Sequence, residues 1–164
     1  MEPFKPKTPQ YSGNGWEIFQ NRSIGFSFQY PQGWQSTFRD GGLVLNPPSG
    51  NKGYLAITML VASSGSSSES PAEMYRGFLA MQSGNFQGYQ RLWEKPIKLS
   101  SGHEALEYAF DFTDPHGPFR SIAVIAIRRG QQDEFFSLDV SGLRVEIKLG
   151  EEKFRNIVKS LTLR

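Results

Sequence analysis

His103-Glu104 opens the segment HEALE, whose first two residues match the zinc-binding pattern HExxH. In that pattern two histidines one helical turn apart bind the ion, and the glutamate acts as base. Here Glu107 stands where the second histidine belongs. The period is also wrong, because positions i and i+4 share a face only on a helix. From Glu104 to Phe112 the apolar residues Leu106, Tyr108, Phe110 and Phe112 fall on even positions, with Glu107 and Asp111 opposite, as on a strand. His103 is therefore expected to be a turn residue ahead of that strand. The second constellation is Asp114-Pro115-His116-Gly117. Asp114 and His116, with Asp111, could hold an adventitious divalent ion. Asp, Pro and Gly are equally what a tight turn requires, and two ligands without a third rarely make a site. The turn is the preferred reading.

Other chemistry is poorly provided for. The chain has no cysteine, which removes thiol catalysis, disulfides and thiolate metal ligands together. No GxSxG is present, and no serine sits beside a histidine base. Asp133-Glu134 and Glu151-Glu152 are adjacent carboxylates with ordinary explanations, as a connection and a helix start. Gly13-Asn14-Gly15 and Gly50-Asn51-Lys52-Gly53 lack the following helix that a phosphate cradle needs. Arg128-Arg129 marks a strand leaving the core. Trp34, after a Pro-x-Gly turn, has two readings: a ring exposed for a partner contact, or, preferred, one folded back over the end of the core. No catalytic residue and no cofactor site is expected.

The 164 residues amount to 18.5 kDa, enough for one well-buried core. Lys and Arg number 18 against 16 Asp and Glu, too even a balance for a dedicated nucleic-acid binder. The longest wholly apolar run, from Ile122 to Ile127, is far too short for a bilayer-spanning helix. Residues 1–13 begin MEPFKPKTPQ, with three prolines and no apolar segment of signal-peptide type. They are read as a Pro-rich tether ahead of a mature exported domain, and residues 14–164 as that single domain.

The elements that must position these residues run as strands, one helix, more strands, one helix. Trp16 to Phe19 reads as a first strand. In GFSFQYP, Phe26, Phe28 and Tyr30 alternate with Ser27 and Gln29, and Pro31 ends the strand. Short strands are expected at Leu43–Leu45 and from Tyr54 to Ala62. Ser63 to Ser70 is a low-complexity loop. Ser70-Pro71-Ala72-Glu73 forms a capping box for a helix carrying Met74, Tyr75, Phe78, Leu79 and Met81, with Gly84 as stop. Further strands follow at Gln90–Ile97 (irregular), Glu104–Phe112, Ile122–Ile127 (covered on both faces) and Phe136–Val140. A closing helix starts at Glu151-Glu152 and buries Phe154, Ile157, Val158 and Leu161. Strands and helices do not alternate as in parallel βαβ units, so the fold is α+β: a central antiparallel sheet flanked by helices.

Gly25-Phe26-Ser27-Phe28-Gln29-Tyr30-Pro31 followed by Trp34 resembles the N-terminal signature of the PsbP-like family. The Ser70-Pro71-x-Glu73 helix start is similar to that family's first core helix. Gly102-x-Glu104-Ala105 leading into Tyr108, and Phe154-x-x-Ile157-Val158-x-Ser160-Leu161, resemble its later strand and closing helix. The resemblance runs from about Trp16 to Leu163. It implies an α/β/α sandwich without enzymatic activity, in a family that includes lumenal photosystem II proteins, bacterial envelope lipoproteins and a small Ran-binding import factor. In the photosynthetic members an Arg-His pair opens the strand corresponding to Arg120; here Ser121 follows, so no metal site is carried over. The implied function is a monomeric, extracytoplasmic accessory domain, in the thylakoid lumen, periplasm or envelope. It would sit peripheral to the membrane or be lipid-anchored, and bind a larger protein complex, photosystem II in a phototroph. The alternatives are a small-ligand or lipid-binding envelope domain with a groove beneath Met74, Phe78 and Met81, and, least favoured, a metal-dependent hydrolase using His103 or His116.

Overall fold

A computed structural model describes residues 5–6, 15–39, 42–48, 55–63, 70–82 and 86–164, with the side chains of residues 5, 6, 39, 78, 81 and 82 excepted. In chain order its elements are β1 (Lys5–Pro6), β2 (Trp16–Asn21), β3 (Phe26–Pro31), β4 (Gln35–Arg39), β5 (Gly42–Asn46), β6 (Ala56–Ser63) and α1 (Pro71–Gln82). There follow β7 (Gln87–Lys98), β8 (Glu104–Asp114), β9 (Gly117–Arg128), β10 (Glu134–Leu143), α2 (Arg144–Leu149), α3 (Glu151–Lys159) and β11 (Thr162–Leu163).

Every strand pair is antiparallel, in two sheets: β4-β5-β6-β10-β9-β8-β7 and a smaller β1-β2-β3-β11. The apolar run in β9 sits between β8 and β10 and is buried throughout. Its alternate residues serve two cores. Ile122, Val124 and Ala126 pack with Ile147 of α2, Phe154, Ile157 and Val158 of α3, and Phe19, Phe26 and Phe28 of the small sheet. Ala123 and Ile125 pack with Leu106, Tyr108, Phe110 and Tyr75 of α1. The large sheet is thus covered by α1 on one face, and by α2, α3 and the small sheet on the other. This is an α+β sandwich. At roughly 25 cal/mol per Å2 of apolar surface removed from water, a side chain such as Phe136, with none of its surface exposed, contributes on the order of 2–3 kcal/mol.

The capping box at the start of α1 is formed on both sides: the Glu73 amide donates to Ser70 Oγ and the Ser70 amide donates to Glu73 Oε1, each at 3.2 Å. Ser70→Ala is expected to destabilise the protein by about 1 kcal/mol, the usual cost of an exposed N-cap, and a urea-unfolding midpoint checks it. The predicted Gly84 stop, the Tyr54 strand start and residues 64–69 of the serine-rich loop lie outside the described residues. So does most of the predicted tether; its residues Lys5 and Pro6 pair with Gln20 and Phe19.

Four features differ from the sequence reading. The small sheet is separate from the large one, β4 pairs beside β5, α2 precedes α3, and β11 closes against β3. Each is short or pattern-poor. The segment RVEIKL buries only Ile147, which gives no helical stripe to read. The expected irregularity of β7 is real, with register shifts between Gln87 and Gln90 and between Arg91 and Trp93; Gly88 supplies the positive φ of +63° at the first of them.

Candidate functional site

Three acids are buried in the large sheet, and their surroundings differ. Glu107 and Asp111 lie on the face of β8 opposite Leu106 and Tyr108, as alternation requires, but that face is roofed by helices rather than water. The Glu107 side chain is 1% exposed. Its Oε2 accepts from Trp93 Nε1 at 2.7 Å and from Arg155 Nη2 at 3.1 Å. Lys159 Nζ stands 3.2 Å from Oε1, an ion pair without the alignment of a hydrogen bond. Asp111 takes a forked bond from Arg120 at 2.6 and 3.0 Å, with Arg144 Nε at 3.2 Å from Oδ2. These pairs fasten α2 and α3 to the sheet, a packing role that uses up the charge.

Asp139 of β10 is on the other face, in a row that runs across the sheet through Tyr108, Ala123, Asp139 and Thr58. Ser121 Oγ donates to its Oδ2 at 3.3 Å, while Oδ1 is out of contact with solvent and has no aligned partner. No ion pair reaches it among the described residues. The residue as a whole retains some exposure, but its carboxyl group does not. Desolvation pushes this carboxyl up to about 7, offset in part by the hydroxyls of Ser121 and Thr58 and the Thr58 amide. Beside it, burial also pushes the Tyr108 phenol up, helped by the negative Asp139.

The residues singled out from sequence are placed as follows. His103 precedes β8 and, against the expectation that no serine sits beside a histidine, its Nδ1 lies 2.9 Å from Ser101 Oγ; that hydroxyl also accepts from the Leu163 amide at 3.2 Å, so the contact ties the turn to the chain's last strand. Asp114 and Gly117 face each other across the β8–β9 turn. Asp114 Oδ1 accepts from the His116 backbone amide at 3.0 Å and lies 2.7 Å from His116 Nδ1. These contacts, the backbone bond foremost, hold the Asp114 carboxyl below the usual carboxylate range. Asp111, the third member of the supposed ion site, is occupied by Arg120 and Arg144. Among the described residues no three His, Asp or Glu side chains converge as a metal site would need. The second residue of the Arg120-Ser121 pair bonds Asp139. Trp34 packs partly buried against the main core, as preferred. The groove imagined beneath Met74, Phe78 and Met81 involves side chains outside the described residues.

The surface feature that sequence reasoning missed lies at the joint of α2 and α3. Leu149 is 86% exposed and Val145, four residues earlier on the same helix, 63%. Leu149 lines a groove of about 570 Å3 together with Gly15, Trp16, Pro31, Gly150 and Lys153 among others. Lys153 Nζ stands 6.0 Å from the centre of the Trp16 ring. This six-residue helix thus seats Ile147 in the core and leaves two large aliphatic groups in water, one of them at a concave wall. No signal for it exists in the linear pattern, because Val145, Ile147 and Leu149 alternate and mark no helical face.

No protein-family model matches the sequence, and no curated protein matches it at a significant level. Solved structures do. The solution structure of cyanobacterial PsbP (CyanoP) from Synechocystis sp. PCC 6803 aligns with a TM-score of 0.72 at 12% identity, covering 96% of this chain and 98% of that one. The crystal structure of LpqN, involved in cell envelope biogenesis of Mycobacterium tuberculosis, aligns at 0.63 and 13% identity over 98% and 90%. The Saccharomyces cerevisiae Ran-binding protein Mog1p aligns at 0.53 and 11% identity over 98% and 96%. At such identities the likeness is one of fold, and it extends over nearly the whole chain.

Proposed function

We propose that this PsbP-like domain is a non-catalytic accessory module that acts outside the cytoplasm, as a monomer, by docking onto a larger protein complex. The observation that carries this reading is Leu149 in the wall of the Trp16 groove, with Val145 one turn away on the same helix. Among the described residues these two are the most exposed large apolar side chains, and an exposed apolar group at a concave wall is a usual anchor of a protein contact. The buried acids add support, since Glu107 and Asp111 are spent on holding helices and are not directed into a cleft. The likeness in fold to a PsbP protein, to a protein of envelope biogenesis and to a Ran-binding protein supports a binding role. The first two also favour a location at a membrane surface outside the cytoplasm. In a phototroph the partner complex would be photosystem II.

Leu149→Asp tests this. With most of its surface already in water, Leu149 contributes little to the core, so the melting temperature should move by less than about 2 °C. Partner capture should fall at least tenfold, the effect of charging a contact centre. The measurement is quantitative cross-linking and mass spectrometry on membranes of the source organism, with wild-type and Leu149→Asp protein side by side. Capture of one complex that survives the substitution unchanged would remove this surface from consideration. Capture of none would remove the docking role.

A further inference from the structure

At the other end of α3 the packing leaves an excess of positive charge around an indole. Trp93 and Lys95 of β7 stand opposite Ala109 and Glu107 of β8, on the sheet face that carries α3. Arg155 and Lys159 reach down to the same place from one side of α3. The Arg155 guanidinium lies 5.1 Å from the centre of the Trp93 ring, and Lys95 Nζ lies 6.0 Å from it. Beneath them is the single carboxylate of Glu107, shared by the Trp93 N–H, Arg155 and Lys159. Among the described residues Lys95 has no ion pair, and neither Arg155 nor Lys159 pairs with any acid but Glu107. Three cations are therefore set over one buried anion, and solvent meets the positive side.

From this arrangement we propose that the β7–α3 corner docks an acidic, extended segment of the partner protein. The inference rests on the docking reading above and names the chemistry of one contact. Charge complementarity selects the acid: carboxylates arriving at Lys95 and Lys159 supply the counter-charge that the corner lacks. The cations come from two elements and are spread around a ring, so one small anion cannot touch them all. Successive acidic side chains on one face of an extended chain, roughly 7 Å apart, can. The Trp93 ring adds apolar area between the charges. The contact is made through side chains and not by adding a strand to β7, because Pro96 removes a backbone donor and the register shifts break the edge.

The test uses a fluorescein-labelled decapeptide of alternating Glu and Ser, followed by anisotropy at 20 and 200 mM NaCl, with a Gly-Ser decapeptide as the neutral control. Lys95→Glu and Arg76→Glu change the net charge equally, but Arg76 lies on α1, on the opposite face of the large sheet. Both side chains are exposed, and circular dichroism verifies folding. The expected result is acidic-peptide binding that weakens with salt. It should drop about tenfold in Lys95→Glu and less than twofold in Arg76→Glu, as for removal of a local charge contact. Equal weakening by the two substitutions, or binding no tighter than that of the neutral peptide, overturns the inference. The Leu149→Asp capture experiment is independent of either outcome, so failure here and failure of the docking reading are distinguishable.

Discussion

Asp139→Asn should make the protein more stable at pH 8, by on the order of 2–4 kcal/mol, and should flatten its stability between pH 4 and 7. The folded-state carboxyl is raised to about 7, well above the ordinary aspartate range, because its group is desolvated without a cation beside it. Folding therefore favours the protonated form. The stability this provides is complete below the unfolded value, falls as pH rises through the range between the two values, and is gone above about 7. In wild type, then, unfolding free energy declines from mild acid toward neutrality, opposite to what Asp114, with its lowered carboxyl, contributes at more acid pH. Asparagine keeps the shape of the protonated acid and cannot ionise. Urea unfolding of both proteins at pH 4.5, 6 and 8 gives the comparison, and an increase of 2 kcal/mol at pH 8 corresponds to about 4–8 °C in melting temperature. A wild-type profile parallel to that of Asp139→Asn throughout would mean that this carboxyl is hydrated in the folded state.

The second large effect is expected at Arg128. Its guanidinium donates to the carbonyls of Ile24 (2.7 Å), Gly25 (3.1 Å) and Arg164 (3.0 Å) and to Glu134 Oε1 at 2.8 and 3.1 Å, and lies 4.9 Å from the centre of the Phe136 ring. One side chain at the end of β9 thus holds the β2–β3 turn, the strand after α3 and the start of β10. The fit is close enough that a Cβ on Gly25 would come within 2.9 Å of Arg128 Nη1, at a φ of +91° that other residues rarely adopt. Arg128→Ala should cost about 3 kcal/mol, because charge-assisted bonds to Glu134 and to the carbonyls of Ile24, Gly25 and Arg164 are lost at the sheet junction, where Gly25 keeps only the Arg164 amide. Arg128→Lys should recover less than half of this, since an ammonium cannot fork to four acceptors. Amide exchange should rise first in β2 and β3. A loss below 1 kcal/mol with exchange unchanged in the small sheet would show that aromatic packing of Phe19, Phe26 and Phe28 alone holds it in place.

The contrast among the buried acids bears on how the fold is kept unique. Glu107 and Asp111 are each met by two cations from other elements, so their burial specifies where α2 and α3 sit. Asp139 is met by hydroxyls and an amide but, among the described residues, by no cation, and it makes the stability of the α1 face respond to pH.

How much of this the sequence determined follows from what kind of physics each feature obeys. Local pattern sufficed where the cause is local. The alternation of Phe26, Phe28 and Tyr30, the apolar run of β9, the Ser70–Glu73 cap and the stripe Phe154, Ile157, Val158 each encode an element by spacing alone, and all were realised. Alternation in β8 also assigned Glu107 and Asp111 to the face opposite Leu106 and Tyr108. It could not say what covers that face, because burial is decided by the elements that pack against it. The same limit applies to α2. Val145, Ile147 and Leu149 alternate without marking a helical face, and only the seating of Ile147 in the core leaves the other two outside. The separate small sheet, the clasp at Arg128, the charge-poor surroundings of Asp139 and the three cations about Trp93 arise between residues distant in the chain. Sequence periodicity reports which way a side chain points; only the assembled sheets and helices decide what it meets there.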